Sequence, residues 1–94
     1  MLVKEKIYSE GIFIKKNYPN GQLAVFFSNS DGEPVAELSL NDNSVELASD
    51  EFILKNYSEN SLIAQEFLDS KAFTPTDRYL LMGAHLCPIC RINI

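Results

Sequence analysis

The residues best suited to chemistry lie near the C-terminus, in the segment His85–Cys90. The Cys-x-x-Cys spacing of Cys87 and Cys90 lets two thiolates bind one zinc ion. A structural zinc site needs four ligands, however, and the chain has two cysteines and one histidine in total. A fourth ligand would have to be a carboxylate or come from a second copy of the chain. His85, Cys87 and Cys90 therefore form a partial zinc site.

The same residues have other interpretations. A redox-active thiol is usually acidified by a helix N-terminus, and too few residues follow Cys90 to form that helix. In an extended segment Cys87 and Cys90 point to opposite faces, so their thiols do not meet. The simplest alternative makes Cys90 a small buried apolar side chain and Cys87 an incidental thiol. A lone histidine such as His85 is more often structural than an acid–base catalyst. No recognisable catalytic motif is present, and we expect neither catalysis nor a cofactor.

Acidic residues form the second candidate site. The chain has 13 acidic and 8 basic residues, and its formal net charge of −5 disfavours binding to nucleic acid or to an anionic membrane. Clustered on one face, these acids could imitate a row of phosphates and occupy a basic groove. The alternative is a solvated rim without a partner. The candidate partner-binding residues are Asp31, Glu33, Glu37, Asp42, Glu46, Asp50 and Glu51.

Two turn signals and the strands beside them form the predicted centre of the fold. Tyr-Pro-Asn-Gly at residues 18–21 and Asp-Gly at residues 31–32 are typical turns. Strands are predicted at Ile12–Lys16, Gln22–Ser28 and Pro34–Leu40. The second is apolar on both faces and should be central. The third alternates, which predicts that Ala36, Leu38 and Leu40 are buried while Val35, Glu37 and Ser39 face water.

The second half of the chain is predicted to add strands and one helix. Strands are predicted at Val45–Ala48, which would continue the sheet, and at Arg78–Met82 and Ala84–Ile94. The short apolar run at Glu51–Tyr57 fits a strand or a helix, and we favour a short strand or an extended segment. An amphipathic helix is predicted at Asn60–Ser70, with apolar residues Leu62, Ile63, Phe67 and Leu68 and with polar caps before it. Phe73–Asp77 should turn the chain, and Pro88 should make the last strand an edge or place a bulge in it. The sequence predicts one α+β domain over residues 1–94, with an antiparallel sheet of about five strands and one helix packed on it.

The order and spacing of several segments resemble a family of small proteins of unknown function. These proteins are encoded on phages and conjugative elements, notably of gut bacteria. The matching segments are Tyr18–Ala24, Asp31–Asn41, Asn56–Asn60, Pro75–Arg78 and Cys90–Ile92. In that pattern Cys90-Arg91 is included and Cys87 is not, which weakens the zinc interpretation. The family has no established catalytic residues, so the resemblance assigns none here.

The resemblance implies a genetic context. Small acidic proteins of mobile elements are often accessory or anti-defence proteins, and some block a CRISPR effector by imitating nucleic acid. We therefore expect a non-enzymatic protein that binds and inhibits a host protein, with a CRISPR-Cas effector as the leading example. Two alternatives remain: a self-associating module that forms a homodimer, or a small zinc or thiol protein. The sequence shows no membrane helix and no signal peptide, so we expect the cytoplasm of the host bacterial cell.

Overall fold

The computed structural model describes residues 11–93 and places seven strands and one α-helix in that part of the chain. The strands are β1 (Ile12–Asn17), β2 (Leu23–Ser28), β3 (Pro34–Glu37), β4 (Ser39–Leu40), β5 (Glu51–Leu54), β6 (Phe73–Met82) and β7 (His85–Ile92). A 3-10 turn at Ser58–Asn60 leads into the helix α1 (Ser61–Asp69). The N-terminal stretch considered for a signal peptide and the terminal Ile94 lie outside the described residues.

The strands form two antiparallel sheets, one with the order β1-β2-β3 and the other with the order β4-β5-β7-β6. The predicted α+β class, the antiparallel pairing and the helix are therefore confirmed. The predicted single sheet of about five strands is corrected to seven strands in two sheets.

The centre of the first sheet is β2, as its apolar residues on both faces predict. It pairs with β1 in unbroken register and with β3 on its other side. The chain approaches β2 very closely just before β1 begins. A Cβ on Gly11 would lie 2.2 Å from Phe27 Cζ and 2.4 Å from Ser28 O, so the packing requires glycine at that position.

The predicted third strand, Pro34–Leu40, is divided between the two sheets at Leu38. The Leu38 N–H donates to Val25 O in β2 (2.9 Å), while Leu38 O accepts from the Lys55 N–H after β5 (2.8 Å). The predicted alternation fails at this crossing, because Leu38 and Ser39 are both buried. Ser39 Oγ accepts a 2.8 Å hydrogen bond from the Val25 N–H and so replaces a backbone carbonyl that the departing strand no longer offers.

The chain does not turn at Phe73–Asp77, although a proline lies there. Strand β6 continues through this segment with a bulge between Pro75 and Arg78. The edge position of β6 explains why the proline is tolerated, since the missing N–H interrupts no ladder on the open side.

The prediction that Pro88 makes its strand an edge or places a bulge in it is wrong. Strand β7 lies between β5 and β6, and the irregularity in the β6–β7 ladder lies in β6, between Pro75 and Arg78. The ladder between β5 and β7 ends where Ile53 pairs with Ile89, one residue before Pro88. On the other side of β7, Pro88 pairs with Tyr79 of β6. Hydrogen-bonded and non-hydrogen-bonded pairs alternate from Met82–His85 at the end of the β6–β7 hairpin, and this alternation makes Tyr79–Pro88 a non-hydrogen-bonded pair. The absent N–H of Pro88 therefore costs no ladder bond.

The buried residues form two clusters on opposite faces of the second sheet. The inner cluster contains Leu23, Val25, Phe27, Leu38, Phe52, Leu54, Ile63, Ala64, Phe67, Phe73, Cys90 and Ile92. The outer cluster contains Ile53, Cys87 and Ile89, with half-buried side chains packed around them. Alternation along β5 and β7 sends successive side chains to one cluster and then the other.

Helix α1 covers the inner cluster through Ile63, Ala64 and Phe67. The predicted amphipathic helix is thus confirmed, except that Leu62 is 63% exposed. Asn60 precedes the helix but makes no side-chain cap bond; its Nδ2 donates instead to Glu37 O at 2.7 Å. Within residues 11–93, no helix has the length and apolar character needed to cross a membrane.

The segment 41–50, which we call the cover loop, joins β4 to β5. The prediction that Val45–Ala48 continues the sheet is wrong, because these residues form no strand. Val45 and Leu47 instead pack onto the outer cluster. Their apolar side chains cover a face of the sheet and do not extend its edge. The sequence pattern alone does not distinguish a covering loop of this kind from an added strand.

Candidate partner-binding surface

The three residues considered for zinc or thiol chemistry are not brought together. Cys87 and Cys90 are both buried, Cys87 in the outer cluster and Cys90 in the inner cluster. His85 is exposed, and its ring stacks on Tyr57 with a centroid separation of 3.9 Å. Among the described residues, no group of three or more histidine, cysteine or acidic side chains is arranged to hold a metal ion. The two thiols face opposite ways, as an extended segment predicts.

Burial also keeps both thiols unreactive. It raises the pKa of the Cys90 thiol to about 12. It raises the pKa of the Cys87 thiol as well, against a smaller opposing effect from a backbone hydrogen bond of Asn56. Because the thiolate is the nucleophilic and metal-binding form, both side chains behave at neutral pH as small apolar groups.

The seven candidate acidic residues do not form one patch. Asp31 and Glu33 lie in the turn between β2 and β3. Asp42 and Glu46 lie in the cover loop, which contacts the turn between β1 and β2 through Gln22. These two turns are at opposite ends of β2, a strand of six residues and therefore of about 20 Å. The predicted phosphate-like row is divided into two separate groups.

The turn between β2 and β3 is built around Asn29. Its Oδ1 accepts hydrogen bonds from the N–H groups of Asp31 and Glu33, both at 3.0 Å. Its Nδ2 donates to Glu33 Oε1 at 3.1 Å. Both acidic side chains are exposed, and no lysine or arginine within residues 11–93 forms an ion pair with either. Among the described residues, this turn therefore presents two carboxylates without an ion-pair partner.

Glu37, at the end of β3, has a structural contact. Its Oε2 accepts a 3.0 Å hydrogen bond from the Tyr18 hydroxyl, which also lies 2.9 Å from Ser39 Oγ. Burial of Tyr18 raises the pKa of its hydroxyl, so this group remains a donor at neutral pH. Glu37 thus helps to hold the turn after β1 against the strand that crosses between the sheets.

Glu51 is buried and paired, so it is not available as a surface contact. Arg78 Nη2 lies 2.8 Å from its Oε1, and Arg91 Nη2 lies 3.4 Å from its Oε2. The Ala48 N–H donates to Oε1 at 2.9 Å. Asp50 is half exposed, and its Oδ2 lies 2.9 Å from Arg91 Nε. These two acids anchor the end of the cover loop to β6 and β7, and the two arginines offset their charge.

Gln22 anchors the start of the cover loop to the turn between β1 and β2. Its Nε2 donates to Asp42 O (2.8 Å) and Val45 O (3.0 Å), and its Oε1 accepts from the Asp42 N–H (3.1 Å). The side-chain amide therefore uses both donors and its acceptor on the loop backbone. An open cleft of about 600 Å³ lies beside this anchor, and its lining residues are Asn20–Gln22, Asn43 and Val45–Ala48.

Two of the candidate acids belong to this cleft region. Asp42 immediately precedes the cleft wall, and its Oδ1 accepts hydrogen bonds from the hydroxyl and the N–H of Ser44. These bonds lower the pKa of the Asp42 carboxyl, so it is ionised at neutral pH. Glu46 lines the cleft and is exposed, while its backbone carbonyl accepts from Arg78 Nη1 at 3.3 Å. Glu46 thus lies in the cleft lining and Asp42 beside it, on a loop that is fixed at both ends.

Sequence patterns do not single out Gln22, although it organises this surface. Asn-Gly-Gln marks a turn, and a glutamine that precedes a strand has no distinctive signature. Its role depends on the approach of a loop that lies about twenty residues further along the chain. The one sequence feature that points to this surface is the acidic composition of the cover loop. It identifies the loop but not the side chains that anchor it.

Comparison of the chain with protein-family models, curated proteins and solved structures finds no match.

Proposed function

We propose that the chain is a non-enzymatic accessory protein of a phage or other mobile element that binds and inhibits a host protein in the bacterial cytoplasm. The proposed target is a basic, nucleic-acid-binding surface, such as that of a CRISPR-Cas effector. The observation that supports this proposal best is the acidic cleft beside Gln22, which has Glu46 in its lining and Asp42 next to it on the same fixed loop.

The charge of the cleft favours a cationic side chain as its occupant. Asp42 is ionised, Glu46 is exposed, and the cleft lining adds the side-chain amide oxygens of Asn20 and Asn43, each of which has a second lone pair to offer. Carboxylates and amide oxygens together accept the several N–H donors of an arginine or the ammonium group of a lysine. A basic side chain from a partner would therefore find both charge and hydrogen-bond acceptors at this position.

The net charge of −5 acts over a longer range. It raises the rate of encounter with a basic surface and disfavours association with nucleic acid itself. The fixed loop adds preorganisation, because little backbone entropy is lost when a partner binds a segment that is already anchored at both ends. Asp31 and Glu33 provide a second acidic contact at the far end of β2, for a partner long enough to reach both groups.

Affinity capture followed by competition tests this proposal. The tagged chain is incubated with lysates of gut bacteria that encode CRISPR-Cas systems, and bound proteins are eluted by raising the salt concentration. We expect a nucleic-acid-binding protein among them, released as salt screens the contact. The purified partner is then mixed with labelled nucleic acid, and the chain should displace that nucleic acid.

Charge-neutralising pairs locate the contact. The cleft pair Asp42→Asn and Glu46→Gln should weaken the competition by about tenfold or more. The control pair Glu59→Gln and Asp69→Asn makes the same change in charge around helix α1 and should leave the competition nearly unchanged. The pair Asp31→Asn and Glu33→Gln measures the contribution of the far turn. Equal effects of the cleft pair and the control pair, or the absence of any enriched nucleic-acid-binding protein, would refute the proposal.

A further inference from the structure

Part of the outer edge of β6 lacks the features that usually protect a long edge strand. Within residues 11–93, β6 is the outermost strand of the second sheet, and it is ten residues long. Natural proteins usually protect an edge of this length with prolines, charges or bulges. The first half of β6 has such protection: Pro75, a bulge before Arg78, and Asp77 in the left-handed region with a φ of 70°. The second half, residues 79–82, has none of these features.

The β6–β7 hairpin determines which backbone groups reach the open edge. Met82 and His85 flank a two-residue loop in which Gly83 has a φ of 63°. Glycine at the first loop position with this φ is typical of a type II′ hairpin turn. The residues flanking such a loop exchange both backbone hydrogen bonds, and hydrogen-bonded and non-hydrogen-bonded pairs then alternate along the ladder.

From this alternation, Leu80 directs its N–H and C=O groups toward β7, while Tyr79 and Leu81 direct theirs toward the open edge. A contact near the bulge agrees with this phase. The Ile89 carbonyl points toward β6, where the Thr76 hydroxyl donates to it at 2.7 Å. Tyr79 and Leu81 therefore each offer a backbone N–H donor and a C=O acceptor to another strand.

The side chains at this edge are exposed and apolar. Tyr79 is 56% exposed, Leu81 is 67% exposed, and Leu86, which pairs with Leu81 in the hairpin, is 59% exposed. The three lie on one face of the hairpin, since Tyr79 and Leu81 are two residues apart and Leu86 is directly opposite Leu81. An unprotected edge with exposed apolar side chains favours the addition of a strand.

We propose that the strand added at this edge is β6 of a second copy of the chain, in an antiparallel register centred on Leu80. In this register Tyr79 of each copy lies opposite Leu81 of the other, and Leu80 lies opposite its own equivalent. The outward backbone groups of Tyr79 and Leu81 then face each other as hydrogen-bonded pairs on both sides of a two-fold axis.

The self-complementarity of the sequence favours a second copy over an unrelated strand. An aromatic side chain opposite an aliphatic one is a stabilising cross-strand pair, and this register makes two of them. Residues 79–82 carry no charge, and Arg78 falls opposite Met82, so no like charges are opposed despite the net charge of −5. The protected first half of β6 limits the pairing to about five residues per strand, so the dimer should be weak.

Sedimentation equilibrium of the full chain tests the association. We expect the mass to rise toward that of a dimer as the concentration approaches about 1 mM. Added salt should leave this association unchanged or strengthen it, because it screens repulsion between two acidic chains, whereas it weakens the proposed contact of the cleft. A monomer at about 1 mM in both low and high salt would overturn the proposal and leave the edge to residues 1–10 or to a different protein.

Two matched substitutions locate the interface. Leu81→Lys places a charge at the edge and should weaken the association by about tenfold or more. Leu62→Lys makes the same change at an exposed position of helix α1 and should leave the association unchanged. Circular dichroism confirms that both variants are folded. Equal dimerisation of the two variants would contradict an interface at β6.

Cross-linking tests the register. In the proposed pairing the two Leu80 residues form a non-hydrogen-bonded pair with Cα atoms about 4.5 Å apart, within the range of a disulfide. Under mild oxidation Leu80→Cys should therefore form a covalent dimer. Met82→Cys should not, because in this register Met82 lies opposite Arg78. Cross-linking through Met82→Cys but not through Leu80→Cys would overturn the register.

Discussion

The two faces of β7 are covered in different ways. On the inner face, Cys90 and Ile92 meet a cluster of phenylalanines closed by helix α1. On the outer face, Cys87 and Ile89 lie beneath an irregular loop held by Gln22 at its start and Glu51 at its end. The same strand is therefore covered on one side by packed rings and on the other by apolar side chains of a loop that polar anchors hold in place. The cover loop can carry exposed charges because its stability comes from side chains elsewhere in the chain.

Phenylalanine rings contact one another across the inner face. Phe27 lies 5.2 Å from Phe13 and 5.0 Å from Phe67, measured between ring centroids. Phe73 lies 4.9 Å from Phe52 and 5.5 Å from Phe67. Tilted and edge-to-face rings at these separations add stability beyond the burial of apolar area. These rings link both sheets to the helix.

Truncation of a central ring should have the largest effect. Phe27→Ala removes a side chain that is 1% exposed and should lower the free energy of unfolding by about 3–5 kcal/mol, through lost burial and a residual cavity. For a domain of this size that is a large part of the total stability. Urea denaturation followed by circular dichroism measures the change.

The neighbouring phenylalanine supplies the control. Phe26 lies on the opposite face of β2 and is only half buried. Phe26→Ala should therefore cost clearly less than Phe27→Ala. Equal losses would show that the inner cluster is not the main source of stability.

Much of the inner face could be predicted from the sequence. The turn signals at residues 18–21 and 31–32, the doubly apolar β2 and the amphipathic helix depend on local patterns, and each is present in the structure. The errors occur where a distant contact decides the outcome. Ser39 is buried because the strand changes sheets, and Pro88 is tolerated in a central strand because β5 ends beside it. Val25, which contacts Ser39, and β5, which ends beside Pro88, are both distant along the chain from these residues.

The candidate site was less predictable than the fold. Composition identifies the acidic residues, but their spacing along the chain does not reveal which of them are neutralised. Arg78 and Arg91, which pair with Glu51, are 27 and 40 residues away along the chain. Exposure and pairing of a charge depend on such contacts, and so only the folded structure separates the cleft acids from the anchoring acids.

The anchor of the outer face should have the second largest effect. Glu51→Gln removes the charge between two arginines and should lower the free energy of unfolding by about 2 kcal/mol, as expected for hydrogen bonds to a buried charged group. The loop above should also loosen, so that the Cys87 thiol is labelled faster while Cys90 is not. Denaturation and thiol labelling measure the two effects.

Asp50→Asn is the matched control for this anchor. Asp50 also pairs with Arg91, but its side chain is 48% exposed. Its removal should change the free energy of unfolding by about 0.5 kcal/mol or less, as for a surface ion pair. A loss as large as that of Glu51→Gln would mean that burial does not distinguish the two acids.

The two thiols allow the faces to be compared by pH. Burial raises the pKa of Cys90 to about 12, above the value of 9.0 for an unperturbed thiol. As the pH rises above about 9, the unfolded chain loses this proton while the folded chain keeps it, so the free energy of unfolding falls. For Cys90 alone the fall is about 1.4 kcal/mol at pH 10.

Cys90→Ala should remove that part of the alkaline decline, although it lowers stability at neutral pH by leaving a small cavity. Cys87→Ala should remove less, since the backbone hydrogen bond of Asn56 opposes the effect of burial on the pKa of Cys87. Denaturation curves between about pH 8 and pH 10 compare the two variants. The raised pKa of Tyr18 adds a decline near the top of this range that the parent chain and both variants share. If both variants decline with pH as steeply as the parent chain, the thiols do not report the difference between the faces. If Cys87→Ala flattens the curve more than Cys90→Ala, the outer face is the drier of the two, and the loop covers it more tightly than its polar anchors imply.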